Sequence, residues 1–335
     1  MTDPDAAPRA ANSAAPVVDS AVGAAIPLGQ SGAPVSGHRG RRSRTLTQRR
    51  RMTGLLLVAP PVLFVMVFFL APLALMVFMS FNNWPLLGQH RWIGLDNYAK
   101  IVGDATFRSA LLFTLKYTLV LTPVVFFVGL GLAFLVKNPR RGVGFFRTVY
   151  FVPVVLGFAS AAYLAVFLFN PQVGTIGKVL TDLHITRSPP EWLSAPGIAL
   201  VAVALMVTWK TVGFTMLLLM TGLQSIPQDI TEAAQVDGSG RFNTLLHITL
   251  PLLRKTIALS LILSVVGSML AFDQFFIMTG GGPQNQTITV VYKIYNTSFV
   301  SFDLGYGSAM SVVLMVILMI ISGIQLFLLR EDTEQ

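Results

Sequence analysis

Apolar residues along this chain gather into six runs, each close to the roughly 20 residues that an α-helix needs to cross a ~30 Å hydrocarbon core. The first, Thr53 to Phe81, holds no charged residue. The others run from about Ala110 to Val136, Val149 to Phe169, Ile198 to Leu223, Ile257 to Met278 and Tyr306 to Leu329. The pattern predicts an all-α integral membrane protein with about six transmembrane helices, which puts both ends on one side.

Residues 1 to about 38 are rich in Ala, Pro, Ser and Gly, a composition that buries too little apolar surface to offset the entropy of ordering. They are followed by Arg39, Arg41, Arg42, Arg44, Arg49, Arg50 and Arg51, immediately before the first run. We expect a disordered basic tail over residues 1–51 and a transmembrane domain over 52–335. The first run is too long for the apolar core of a cleaved signal peptide.

Charge in the loops sets the orientation. Lys137, Arg140, Arg141, Arg147, Arg241, Arg254, Lys255 and Arg330 fall on the same side as the arginine cluster, and fewer cations, scattered from Arg91 to Lys293, fall on the other. Cations collect on the cytoplasmic side, so the tail and the C-terminus are expected in the cytoplasm of a multi-pass plasma-membrane protein. The same distribution accounts for the net charge of +9 without nucleic acid and makes membrane lipid the neighbour.

Composition removes several kinds of chemistry. Hydrophobic residues make up 53% of the chain, charged residues 12%, and the chain holds no cysteine; thiolate metal sites and cysteine nucleophiles are thereby excluded. The four histidines, His38, His90, His184 and His247, are too scattered to form a close metal-ligand pair, so no metal site and no enzyme activity are expected. Gly280 to Gly282 and the Gly177-Lys178 pair lack the spacing of a phosphate-binding loop. No nucleotide site is expected here.

The segment from Gln224 to Lys255 is long and polar for a connector. Pro227 suits a first helical turn and Asp229 complements the helix dipole, so a helix is expected to run to about Asp237. Gly238 and Gly240 then allow a turn, and a second helical stretch from Phe242 to Ile248 ends near Pro251. Ala233 and Ala234 leave a face that a partner can approach closely, and Glu232 offers a charge. An ordinary amphipathic interfacial helix fits this pattern equally well.

Glu232-Ala233-Ala234, Asp237-Gly238, Ile248 and Leu250-Pro251 resemble, in identity and spacing, the EAA motif of binding-protein-dependent ABC importer permeases. Ser239 stands where the family commonly has Ala. Thr279 to Pro283 with Thr287, Tyr295 and Phe299, and Gly94 to Tyr98 after the first run, resemble outer loops of the maltose-type carbohydrate uptake branch. The resemblance implies that the helix carrying Glu232 is a cytoplasmic coupling helix between the fourth and fifth spans, docking on an ATP-binding subunit. It further implies half of a translocation pathway for a mono- or oligosaccharide, with alternating access and no chemistry in this chain. The implied partners are a second permease, a nucleotide-binding ATPase dimer that itself binds ATP and magnesium, and an extracytoplasmic sugar-binding protein or lipoprotein. Another solute such as glycerol phosphate is the alternative, and a secondary transporter a more distant one.

Lys116, Lys210 and Asp273 are ionisable residues inside the expected spans. Such residues face a pathway or each other, or snorkel to the interface; Asp273 can also mark a misplaced span boundary. Trp84, Trp92 and Tyr98, between the first two spans, are interfacial anchors or partner contacts.

Overall fold

A computed structural model describes residues 54, 57–138 and 140–328; the expected tail before Gly54 and the end of the chain after Leu328 lie outside the described residues. The chain divides into two units, residues 1–61 and 62–335, and apart from residues 57–61 at the start of the first helix the description below concerns the second. Among the described residues four helices are long and apolar enough to cross a membrane: α1 (Leu57–Ser80), α3 (Ala105–Val136), α7 (Gly197–Gln224) and α13 (Leu304–Leu328). Two bent pairs bring the number to six if each is one span: α4 (Val143–Val155) with α5 (Phe158–Leu168), and α9 (Arg241–Leu252) with α10 (Arg254–Met269). Between them lie a two-stranded hairpin, β1 (Asn82–Asn83) and β2 (Arg91–Trp92), and the short helices α2 (Asp96–Gly103), α6 (Thr175–Asp182), α8 (Gln228–Val236), α11 (Asp273–Met278) and α12 (Val290–Tyr295).

Two of the expected spans are not straight. The third breaks between Val155 and Phe158 and turns through 100°, because Pro153 contributes no N–H and Leu156 and Gly157 are extended. The fifth ends at Met269, and the residues expected to finish it form the separate helix α11. Asp273 therefore starts a short helix instead of sitting within a span. The helix before the fifth span ends at Leu252, one residue past Pro251, where the boundary was expected, and a π-turn over Leu245–Thr249 precedes the proline.

Three apolar clusters hold the bundle. Tyr117, Leu121 and Val125 of α3 meet Ala161 and Ala165 of α5, Ala202 and Met206 of α7, and Phe275 of α11. Val136, Met216, Leu219, Leu223 and Leu253 join α3, α7 and the α9–α10 corner. Ile101, Phe107, Met269, Val290, Tyr306 and Met310 join α2, α3, α10, α12 and α13 at the end of the bundle that carries α2. Residues on the opposite faces, such as Leu119, Phe127, Leu135, Phe167 and Phe327, are exposed, as expected where lipid or another subunit is the solvent.

The segment Gly94 to Tyr98 closes the α2 end of the first span. The buried Asn97 amide donates to the carbonyls of Ser80 (2.9 Å) and Asn82 (3.0 Å), and the Tyr98 hydroxyl meets Ser80 Oγ at 2.6 Å. Trp84, Trp92 and Tyr98 pack with Phe78 and Phe81 into one aromatic cluster. In this chain they pack together, while Trp92 keeps much of its face exposed.

At Gly305 the start of α13 crosses the hairpin so closely that a Cβ there would stand 2.1 Å from the Asn82 carbonyl oxygen. Gly305→Ala is expected to destabilise the fold by ~1–3 kcal/mol through overpacking against backbone that cannot rotate away. Gly323→Ala, where a Cβ meets nothing within 4 Å, is expected to leave the melting temperature in detergent unchanged. Equal melting temperatures for the two variants would contradict the crossing described here.

Candidate functional site

Behind the bend of the third span lies a cavity of about 310 Å³ among α3, α7 and α10, closed on one side by the α4–α5 break. Its polar atoms come from Tyr117 of α3, Lys210, Thr211 and Thr215 of α7, Ser260, Ser264 and Ser268 of α10, and Gln274 of α11. Phe158, Phe214, Leu218 and Leu263 supply apolar wall. The serines follow a four-residue spacing that sets them on one face of α10. Ser260 is 2% exposed, and its hydroxyl has no hydrogen-bond partner. Ser268 Oγ donates to Thr118 Oγ1 at 3.1 Å, and Gln274 Nε2 reaches the Tyr117 hydroxyl at 3.4 Å.

Lys210 is the single charged side chain among the described residues of this lining. Its ammonium donates to the Leu156 carbonyl at 2.6 Å and lies within 3.4 Å of the Val154 carbonyl. It stands 4.4 Å above the centre of the Phe158 ring. The cation thus closes the carbonyl end of α4, where the break leaves acceptors that a continuous helix would have satisfied.

The other two ionisable candidates are elsewhere. Lys116 is on the exposed side of α3 and Asp273 begins α11 half-buried; neither lines the cavity. Pattern reading missed Tyr117, Ser264 and Gln274, although the serine spacing within an apolar run was the available signal. Gln274 is adjacent to the residue that charge had singled out. Among the described residues no group of three or more His, Asp or Glu side chains could hold a metal ion.

The segment between α7 and α10 forms a second feature. Helix α8 ends one residue short of the expected Asp237, in a glycine-closed C-cap. Gly238 N donates to Gln235 O at 3.1 Å, Ser239 N donates to Ala234 O at 2.9 Å, and Gly238 has φ +77°. This is the paired 5→2 and 6→1 bonding of a Schellman motif, and it requires the left-handed backbone that glycine adopts freely. Ala234 is buried, whereas Glu232, Ala233 and Asp237 are exposed. Ile248 and Leu250 are half-buried in α9, and Pro251 is exposed. Two apolar side chains on this segment stand almost bare, Val236 at 87% and Phe242 at 73% exposed.

The Thr279 to Thr287 loop is internally tied. Thr287, fully buried, donates to the Gly282 carbonyl at 2.6 Å and meets Thr279 Oγ1 at 2.8 Å. Thr289 holds the broken end of the fifth span through the Ala271 carbonyl at 2.7 Å. Tyr295, from the same resemblance, packs at an angle against the rings of Phe272 and Phe276, and Phe299 packs in turn on Tyr295.

Apolar spans, two of them bent, around a cavity that carries hydroxyls on three helices are the architecture of a multi-pass membrane protein. Residues 109–331 match the family described as binding-protein-dependent transport system inner membrane component, and this chain belongs to that family. It is 34% identical to the sn-glycerol-3-phosphate transport system permease protein UgpA of Agrobacterium fabrum, over 81% of this chain and 92% of that one. It is 32% identical to the multiple sugar-binding transport system permease protein MsmF of Streptococcus mutans, over 81% and 93%. Its fold matches a chain in the crystal structure of a bacterial ABC transporter involved in the import of the acidic polysaccharide alginate. That match has a TM-score of 0.74 at 19% identity and covers 87% of this chain and 100% of that one.

At the α2 end, Asp104 caps α3 by accepting from the amides of Thr106 (2.8 Å) and Phe107 (3.1 Å), and its other oxygen accepts from the Tyr306 hydroxyl at 2.8 Å. Burial alone would raise its pKa. The bonds from Thr106, Phe107 and Tyr306, with the Lys293 ammonium 3.9 Å away, outweigh burial and lower it to about 2. A carboxylate held below its unfolded value stabilises the fold above about pH 4 and loses that contribution as pH falls toward 2. Asp104→Asn is therefore expected to lower the melting temperature in detergent at pH 7 and to flatten its fall between pH 4 and 2. An unchanged acid profile would show that the cluster is not ionised as described.

Proposed function

We propose that this chain is the permease subunit of an ATP-driven importer of a mono- or oligosaccharide and forms half of its translocation pathway. The observation that carries this reading is the chemistry of the cavity. Its available polar atoms are neutral hydroxyls, a phenol and an amide, flanked by the Phe158 and Phe214 rings. A polyol presents hydroxyls that both donate and accept, and aromatic faces match the apolar faces of a sugar ring. The one cation is already held by two backbone carbonyls.

Relatives name both a sugar and a glycerol phosphate system. A phosphate calls for cations free to pair with it, and the cavity offers none beyond Lys210. Glycerol phosphate is for that reason the second reading.

The segment of Glu232, Ala233, Ala234, Asp237 and Gly238, continued by Ile248, Leu250 and Pro251, is the coupling element. The charge bias of the loops supports a cytoplasmic position for it and for both termini. Its exposed Glu232 and Ala233 and the bare Val236 and Phe242 suit a surface that a partner covers. That partner is a nucleotide-binding ATPase dimer, which carries the ATP and magnesium. A second permease completes the pathway, and an extracytoplasmic binding protein delivers the sugar. In this arrangement the chain moves solute and makes or breaks no covalent bond.

Deletion of the chain is expected to abolish uptake of at least one sugar supplied at low concentration. Intact uptake of every sugar together with failed uptake of glycerol phosphate would establish the second reading. Coupling is tested by Glu232→Lys and Gly238→Val. A Cβ at Gly238 meets open space, so the valine acts by straining the left-handed backbone and deforming the turn. Both variants are expected at near-normal level in the membrane, with uptake down about five- to thirtyfold if docking loses about 1–2 kcal/mol. Normal uptake by the reconstituted variants would reduce this segment to a passive connector.

A further inference from the structure

A buried lysine without a carboxylate is the least explained group in the molecule. Lys210 is 4% exposed, and among the described residues no carboxylate lies within ion-pair distance of it. A charge in such a place is retained only where something else satisfies it. Its partners are the Leu156 and Val154 carbonyls and the Phe158 ring, all at the break of the third span.

A second contact on the same face of α7 points to the same place. Gly213, three residues on, lies so close to α4 that a Cβ would stand 2.0 Å from the Tyr150 carbonyl oxygen. Residues three apart on a helix share a face. Gly213 lets the body of α4 rest against α7, and Lys210 grips its last turn. Where α4 stops is where the chain turns through 100°, and the first residue of α5 is Phe158 in the cavity wall.

We infer that Lys210 is a positioning residue for transport: its ammonium fixes the bend of the third span and thereby the place of Phe158 at the cavity. The bend itself is independent of substrate; its importance for transport rests on the reading of the cavity as part of the sugar pathway. A carbonyl freed at the break exchanges a short, charge-assisted bond for a weaker one to water or a hydroxyl. Without the ammonium, Val154 and Leu156 must find other donors, and the 100° turn is no longer the best-satisfied geometry.

The test uses the assembled transporter. The chain has no cysteine, so Phe146→Cys on α4 and Phe167→Cys on α5, both exposed, carry a spin-label pair across the bend. With Lys210 present, one narrow distance distribution is expected. Lys210→Met should broaden or shift it and lower uptake about tenfold at near-normal membrane level. Lys210→Arg, which keeps charge and donors, should restore the narrow distribution and most of the uptake. Gly213→Ala supplies an independent arm, since it displaces α4 with the lysine intact, and it should broaden the same distance. A narrow distribution in Lys210→Met would overturn the inference, as would a broadened one with full uptake. If Lys210→Met does not accumulate, Lys210→Gln and Gly213→Ala decide by the same distance. A transporter that moves no sugar with its native Lys210 would end the sugar reading, while the distance would still decide on the lysine.

Discussion

Each break or end of a helix leaves backbone carbonyls without an intrahelical donor, and in this chain side chains from other elements take several of them up. The ammonium of Lys210 closes α4 at the bend. The guanidinium of Arg147 folds back on the Val136 carbonyl at the end of α3, and Gln224 reaches that of Lys137. Arg254 donates to the Leu328 carbonyl at the end of α13 (2.8 Å), and the Thr289 hydroxyl takes the Ala271 carbonyl where the fifth span stops. In each case a side chain from elsewhere in the sequence ends a helix, so the ends of the spans and their mutual packing are one problem.

The cavity lies at one of these ends. Val154 and Phe158, on either side of the bend, flank it, and hydroxyls from α7 and α10 face the same volume. The α8 segment follows α7 and leads through α9 into α10, and α7 and α10 both line the cavity. The proposed coupling element is thus joined in sequence to two walls of the cavity.

Much of this was legible in the sequence. The six apolar runs gave the spans because run length against bilayer thickness is a local property, and Pro227 and Gly238 placed α8 to within one residue because caps are local chemistry. The third-span bend was not legible, although Pro153 and Gly157 were visible, because what holds it is a lysine 54 residues from Leu156. The cavity was only partly legible. Charge drew notice to Lys116 and Asp273, which lie away from it, while Gln274 and the serines, neutral and easily taken as span filler, supply its polar wall.

The claim on which the rest stands is that this cavity lies on the route of a solute. Ser264 lines it on α10, and in a chain without native cysteine a thiol introduced as Ser264→Cys can be followed by a small, water-soluble thiol reagent in the reconstituted transporter. The account predicts that the thiol reacts, and that the transported sugar, delivered by its binding protein, protects it in the presence of a non-hydrolysable ATP analogue. A thiol that never reacts, or one that reacts at the same rate with and without sugar, would contradict it.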